Sequence, residues 1–509
     1  MHKFAKIACL FVLMMFAGAP SDLAAKDTLV VGIEASAKTL DPHATPDGQT
    51  HNIMNQVYEC LVGLDDKGEP IPLLAEKWDI SPEGNVFTFY LRKGVKFHNG
   101  EELKADDVIF TFQRATGPEG GAVRAFSNYV DPQGLKKIDD YTVQVRTRIP
   151  MPYTFLQLIT HIWAAPLSKK AVEQYGKDYG MHPVGASRFK FVEMVPADRV
   201  VFERFEDYYG EKAKLKKLVI RTILEASSRT IELESGAVDV IQGTPATDIS
   251  RIQANPLLKV ITMQGCRLNV LGFDVTTPPY NDVRVRKALD MAVDRNGLVK
   301  VVYRGFAEPA AGPISSAVKH NYQDPDKIVK VDIAKAKALL TEAGFPNGFK
   351  GEIWVPDRTD LLSIATVLQE NFKQIGVQME VKMIEWGVFL DAIRKKGHAP
   401  YVNNWWGGPP AMDAFFLLAP PFHSSGIGQT NRFFYNNPEV DALLDTGGSL
   451  AEGPERAAVF KKLWDILNAD LPWLSLLSQY TMYSADKNLE GITYRAGSIQ
   501  DFTTAYFKE

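Results

Sequence analysis

The chain has little with which to do covalent or metal chemistry. Among 509 residues only three are cysteine, too few for a disulfide framework or a cysteine metal cluster. Cys60 and Cys266, the two beyond the first 25 residues, lie far apart. An oxidising compartment would let them pair, and two buried thiols fit equally well. The nine histidines stand singly. There is no G-x-S-x-G, no H-E-x-x-H, no P-loop and no G-x-G-x-x-G after a strand, which removes the familiar hydrolase, metalloprotease and nucleotide signatures. Glu232 and Glu234 are two apart on a helical pattern and point different ways. His98, in a strand-to-turn segment, reads as a satisfied structural histidine. No basic patch invites nucleic acid. Neither a catalytic residue, a metal nor a cofactor is expected.

Long apolar runs are also scarce. The one clear run, Ile7–Ala19, follows Lys3 and Lys6 and ends in small residues. It is shorter than the roughly 20 residues a membrane span needs, so it reads as a secretory signal peptide cut after Ala25, with Ala19, hindered by Pro20, as the alternative. Cys9 lies near the start of the run, whereas a lipid-anchoring cysteine follows one. Losing residues 1–25 removes two Lys and one Asp and moves the net charge from −4 to about −5. Hydrophobic residues at 45% and charged residues at 23% are ordinary for a soluble protein. A chain this long needs two or three domains.

What is present is a run of strand and helix patterns. Thr28–Glu34 reads as a buried strand and His51–Leu64 as a helix. In the block Ala75–Arg114, Val86–Leu91 reads as a strand buried on both faces. Val95 and Phe97 start a second strand, stopped by Asn99-Gly100. Asp106 and Asp107 then open a short helix ending in Arg114, a capping role rather than an acid pair. Pro152–Tyr179 is helix-rich, and Pro183–Gly210 gives two strands about a Pro196–Asp198 turn. Further on, Asp282 and Asp332 cap helices with apolar faces at 3.6 spacing. Glu352–Val355, Leu361–Ile375 and Val377–Met383 form a strand–helix–strand unit, which implies a parallel pair.

The Ala75–Arg114 block, AEKWDISPEGNVFTFYLRKGVKFHNGEELKADDVIFTFQR, resembles the signature segment of the family 5 extracellular solute-binding proteins, the receptors of peptide and nickel ABC importers. Glu83 and Phe87 are mild departures. The resemblance continues through Val184–Phe191, Asn281–Arg295, Asp332–Gly344 and Asn437–Leu444. It implies an α/β, two-lobed periplasmic binding protein fold of type II, with an extra subdomain inserted in lobe one and two hinge strands. On this reading residues 26–56, 183–268 and 482–509 form lobe one. Residues 57–182 are the insert and 269–481 are lobe two, with crossings near Leu268–Val270 and Gln479–Thr481.

The implied function is a periplasmic receptor, monomeric and not an enzyme. It would capture an oligopeptide or peptide-like solute by hinge closure and deliver it to a membrane-embedded ABC permease. An opine, a sugar or a metal chelate on the same scaffold is the alternative, and a secreted hydrolase the more distant one. Trp405 and Trp406 are expected to give the cleft an apolar wall. Peptide receptors that this chain resembles carry W-x-x-D there to hold a free amine; Pro409 takes that Asp position, leaving Asp413 as a substitute. Arg358 is a candidate for a ligand carboxylate, or for a surface ion pair with Asp357 or Asp360. Glu34, Ala35, Ser36 and Ala37 follow the first strand, where the family places ligand contacts. Arg188 replaces the family's usual Pro and reads as a surface substitution, with a positive charge near the interior of lobe one as the alternative. His423, near a nickel-receptor histidine, lacks the partners of a metal site.

Overall fold

The computed structural model describes residues 26–65, 67–120, 123–322, 324–405, 413–495 and 499–508. The proposed signal peptide and Trp406 lie outside the described residues. Eleven strands make one large sheet: β1 (Thr28–Ile33), β2 (Phe189–Val195), β3 (Arg199–Arg204), β4 (Lys217–Thr222), β5 (Val240–Gln242), β6 (Leu258–Gly272), β7 (Ala307–Pro309), β8 (Lys350–Pro356), β9 (Gln378–Ile384), β10 (Tyr401–Trp405) and β11 (Trp473–Asp486). Their order is β9-β8-β10-β6-β11-β5-β1-β4-β3-β2, with β7 pairing β11.

Two strands hold the halves of this sheet together. β6 and β11 are 15 and 14 residues long and run antiparallel along most of their length. Leu258–Gln264 of β6 faces Tyr480–Asp486, on the side of β5 and β1; Leu268–Gly272 faces Trp473–Ser478, on the side of β10 and β8. The ladder breaks between Gln264 and Leu268. Gly265 sits in the break, where a Cβ would come within 2.5 Å of the Gln479 carbonyl oxygen. The backbones can meet there only without a side chain.

The flanking elements follow the sequence pattern. Asp282 accepts from the Arg284 N–H at 2.8 Å and Asp332 from the Lys335 N–H at 2.9 Å. Val285, Ala288, Leu289 and Ala292 form one buried face. β8, the helix Thr359–Lys373 and β9 are the expected strand–helix–strand unit, with β8 and β9 parallel in continuous register.

Among the described residues, 57–182 contribute no strand to the large sheet. Ala75–Ile80, Val86–Leu91, Thr142–Arg146 and Lys136–Asp139 form a separate antiparallel sheet. Val86–Leu91 is buried on one face only: Phe87, Phe89 and Leu91 are inside, while Val86, Thr88 and Tyr90 are half-buried. Val86 and Tyr90 on the outer face are what made both faces look apolar. Val95 and Phe97 are buried but form no named strand, because only an isolated bridge, Lys96 to Glu102, crosses the Gly100 turn. The expected helix His51–Leu64 is shorter, Gly48–Met54, and the chain then turns into a strand at Val62–Leu64. The signature helix is Ala105–Thr116. Its Arg114 grips Asp41 with two hydrogen bonds of 2.8 and 2.6 Å, tying the block to the loop after β1.

Cys60 and Cys266 are both buried thiols and form no disulfide. His98 is structural, as its sequence setting suggests. Its Nε2 lies 2.9 Å from the Ser187 carbonyl oxygen and its Nδ1 accepts from Gly185, and burial takes its pKa down to about 4.

Arg188 is not a plain surface substitution. Its guanidinium donates to the Glu211 carbonyl at 2.8 Å and to Thr503 at 3.3 Å, and it lies over the Tyr208 ring. A position that looks peripheral in the sequence is covered by the distant C-terminal segment. Next to it, Glu59 accepts from the Tyr208 hydroxyl at 3.0 Å. Burial pushes the Glu59 carboxyl up to about 7, outweighing its hydrogen bond to Tyr208 and the nearby Arg188 charge. Because the folded form keeps this proton longer than the unfolded chain, stability falls as pH rises from about 4.5 through 7. Glu59→Gln removes that cost. Urea unfolding is expected to show a gain of about 1–3 kcal/mol at pH 8 and little change at pH 4.5. An equal effect at both pH values would contradict this account of Glu59.

Candidate functional site

Where β6 and β11 break register, the two halves of the sheet leave a cavity of about 360 Å³. Glu34, at the end of β1, Gln49 and the loop Gln242–Ala246 line it from one half. Tyr303 and Arg358 line it from the other. Arg267 of β6 and Gln479–Met482 of β11 form its back, at the crossing itself.

Each wall has a local cause. Arg229, 2% exposed, donates to the carbonyls of Ile223 at 2.7 Å, Leu224 at 2.8 Å and Gln242 at 3.1 Å. That pins the Gln242–Gly243 turn beside Glu34, whose Oε2 is 3.7 Å from the same guanidinium. Gln49 donates to Glu34 Oε1 at 3.2 Å. Across the cavity Arg358 donates to Asp360 at 2.7 Å and to Asn404 at 2.6 Å. Tyr303 reaches Asp360 at 3.5 Å, and burial together with that carboxylate holds its phenol protonated.

The lining is polar and incompletely satisfied. The side-chain oxygens of Gln49 and Gln479 are buried and make no hydrogen bond, and neither does the amide nitrogen of Asn404 beside Arg358. Such groups cost about 1–3 kcal/mol each when nothing pairs with them.

Of the residues named from the sequence, Glu34 and Arg358 meet in this cavity, one from each side. Ala35 and Ser36 are half-buried next to Glu34, and Ala37 points into the core at 5% exposure; none of the three lines the cavity. Trp405 is packed inside its own half, its Nε1 donating to the Leu417 carbonyl at 3.1 Å and its ring 5.8 Å from Trp473. Trp406 lies outside the described residues. Asp413 is 1% exposed and caps the helix Ala414–Phe422; both its oxygens accept from Arg456 at 2.8 Å. That carboxylate is taken up in the interior and does not line the cavity. His423 Nε2 lies 3.4 Å from Asp445 and its Nδ1 3.9 Å from Asp441.

Sequence reading missed Arg267, Gln49, Tyr303 and the two backbone segments. One signal was available. Arg267 is a charge within the apolar strand Cys266–Phe273, two residues after Gly265, where a buried strand has no ordinary use for one.

Two α/β halves, joined by paired crossing strands with a polar cavity at the crossing, define the architecture of a two-lobed periplasmic binding protein. The chain belongs to the bacterial extracellular solute-binding proteins, family 5 (middle), whose profile matches residues 69–427. It is 28% identical over 495 residues to the glutathione-binding protein GsiB of Pectobacterium atrosepticum, covering 96% of this chain and 95% of that one. The solved structure of HbpA2 from Haemophilus parasuis superposes with a TM-score of 0.86 at 28% identity, covering 95% of this chain and 100% of that one. The periplasmic protein DppA from Helicobacter pylori, solved with the peptide STSA, gives a TM-score of 0.80 at 26% identity, covering 95% and 99%.

Proposed function

We propose that this protein is the periplasmic solute receptor of an ABC importer and that it captures a small peptide-like solute in the cavity between its lobes. The observation that carries this reading is the cavity itself: lobe one supplies Glu34, lobe two supplies Arg358, and the crossing strands close the back. A ligand touching both sides favours the closed arrangement by contacts that the open one lacks. Arg358, partly exposed and lining the cavity, suits an anionic end.

The lobes take the boundaries read from the sequence: 26–56, 183–268 and 482–509 for lobe one, with 57–182 inserted, and 269–481 for lobe two. Trp406 supplies an apolar wall. Trp405, its ring tilted against that of Trp473, reports on closure rather than touching the solute. The leader 1–25 directs export and is removed. The mature chain works as a monomer, hands its solute to a membrane-embedded permease and releases it chemically unchanged. No helix among the described residues is long and apolar enough to cross a membrane, which is compatible with a free receptor. GsiB and DppA, named for glutathione binding and solved with a peptide, favour a peptide-like ligand over an opine, sugar or chelate.

Native mass spectrometry of protein purified without denaturation tests the reading. A retained small amide-containing solute, whose removal and return change tryptophan fluorescence reversibly, is the expected result. A retained solute that lacks any amide, or one converted to products on incubation, would overturn it.

A further inference from the structure

The charged groups around the cavity are not all paired. Arg358 is closed by Asp360 at 2.7 Å, and Glu34 faces Arg229 at 3.7 Å. Arg267 is half-buried at the back of the cavity and makes no ion pair among the described residues. Glu308, a carboxylate beside Tyr480, is engaged by Gln264 and Ser316. The undescribed stretch Trp406–Met412 reads WGGPPAM and carries no charge that could compensate. Arg267 is therefore the cavity-lining guanidinium with no carboxylate in ion-pair contact among the described residues, and its position is fixed by a strand rather than by a flexible loop.

A partly desolvated guanidinium without a counter-charge is costly, and its planar fork of donors matches a carboxylate. We propose that Arg267 is the specificity-determining residue of the cleft: it selects solutes with net negative charge and seats their surplus carboxylate at the β6–β11 crossing. The proposal rests on the reading of this cavity as the ligand cleft. It departs from the expectation that Arg358 alone receives the ligand anion, because Arg358 already holds Asp360 and Asn404. Its consequence is a charge order among solutes of equal size, since a cationic solute would leave Arg267 unpaired and add a like charge beside it.

The test uses calorimetry on the full mature chain and two probe series. The tripeptides Ala-Glu-Ala, Ala-Gln-Ala and Ala-Lys-Ala differ only in the middle charge. Glutarate, glutaramide and 1,5-diaminopentane do the same without a peptide bond. In a series that binds, the anionic member is expected to bind at least about tenfold tighter than the neutral one, with the cationic member weakest. Arg267→Gln should shrink that preference to under about threefold while urea stability of the solute-free protein holds or rises, and Arg267→Lys should keep most of it. Affinities independent of charge, or a preference unchanged in Arg267→Gln, would overturn the proposal. If glutarate binds in this way and no tripeptide does, the peptide reading fails and the assignment of Arg267 stands. If tripeptides bind without charge order, the reverse holds. Binding by neither series overturns both.

Discussion

Arg456→Met is expected to cost about 3–5 kcal/mol of stability, read by urea unfolding. Arg456 has no exposed side-chain surface and is held on all sides. It donates to both oxygens of Asp413 at 2.8 Å, to the Gly447 carbonyl at 2.9 Å and to Thr154 at 3.3 Å, and it lies over the rings of Tyr153 and Phe460. Methionine fills much of the volume but leaves the Asp413 carboxylate buried and unpaired, and that uncompensated charge is the main term. Adding Asp413→Asn to Arg456→Met should therefore recover part of the loss, because removing both charges is less damaging than removing one. A loss under about 1 kcal/mol in the single variant, or no recovery in the double, would contradict this. The Thr154 hydroxyl also donates to the Gly448 carbonyl at 3.1 Å. The same site thus joins the segment around Thr154 to the helices Pro438–Ser449 and Pro454–Asp470.

Arg358→Ala is expected to weaken binding of the retained solute about 30- to 100-fold, or about 2–3 kcal/mol, with little change in stability. The side chain is 41% exposed, so its ion pair contributes little to folding. Its effect on binding has two sources. The variant loses a guanidinium aimed at the cavity, and it leaves the Asp360 carboxylate beside Tyr303 uncovered, where it repels an anion. Calorimetry beside urea unfolding separates the two quantities. A large loss of stability, or affinity within about threefold of the parent, would remove Arg358 from the site.

Much of the architecture could be read from local pattern. Asp282 and Asp332 cap helices as expected, and β8–helix–β9 is parallel, because period, capping and turn residues act over short distances. The failures share a cause. Val95–Phe97 and the second half of His51–Leu64 carry apolar residues buried by remote segments, so composition mimicked an element that the backbone does not form. Arg188 looked peripheral because Thr503, some three hundred residues away in the chain, covers it.

The site was legible only in part. Glu34 and Arg358 stand at strand ends, where loops open into a cleft, and both reach the cavity. Asp413 looked like an amine anchor because its only visible context was an aromatic loop; its partner Arg456 is distant in sequence. Arg267, Gln479 and Thr481 were hidden because they belong to strands whose pairing shifts register beside them. A register break depends on two strands at once and leaves little trace in either alone.

The central claim is that a solute closes the two lobes about the β6–β11 crossing and leaves unchanged. Small-angle X-ray scattering of the solute-free protein, repeated after the recovered solute is added back and with that solute then analysed by mass spectrometry, tests it most directly. The account predicts a smaller radius of gyration with solute present and the solute recovered intact. An unchanged scattering curve at saturating solute, or recovery of cleaved products, would contradict it.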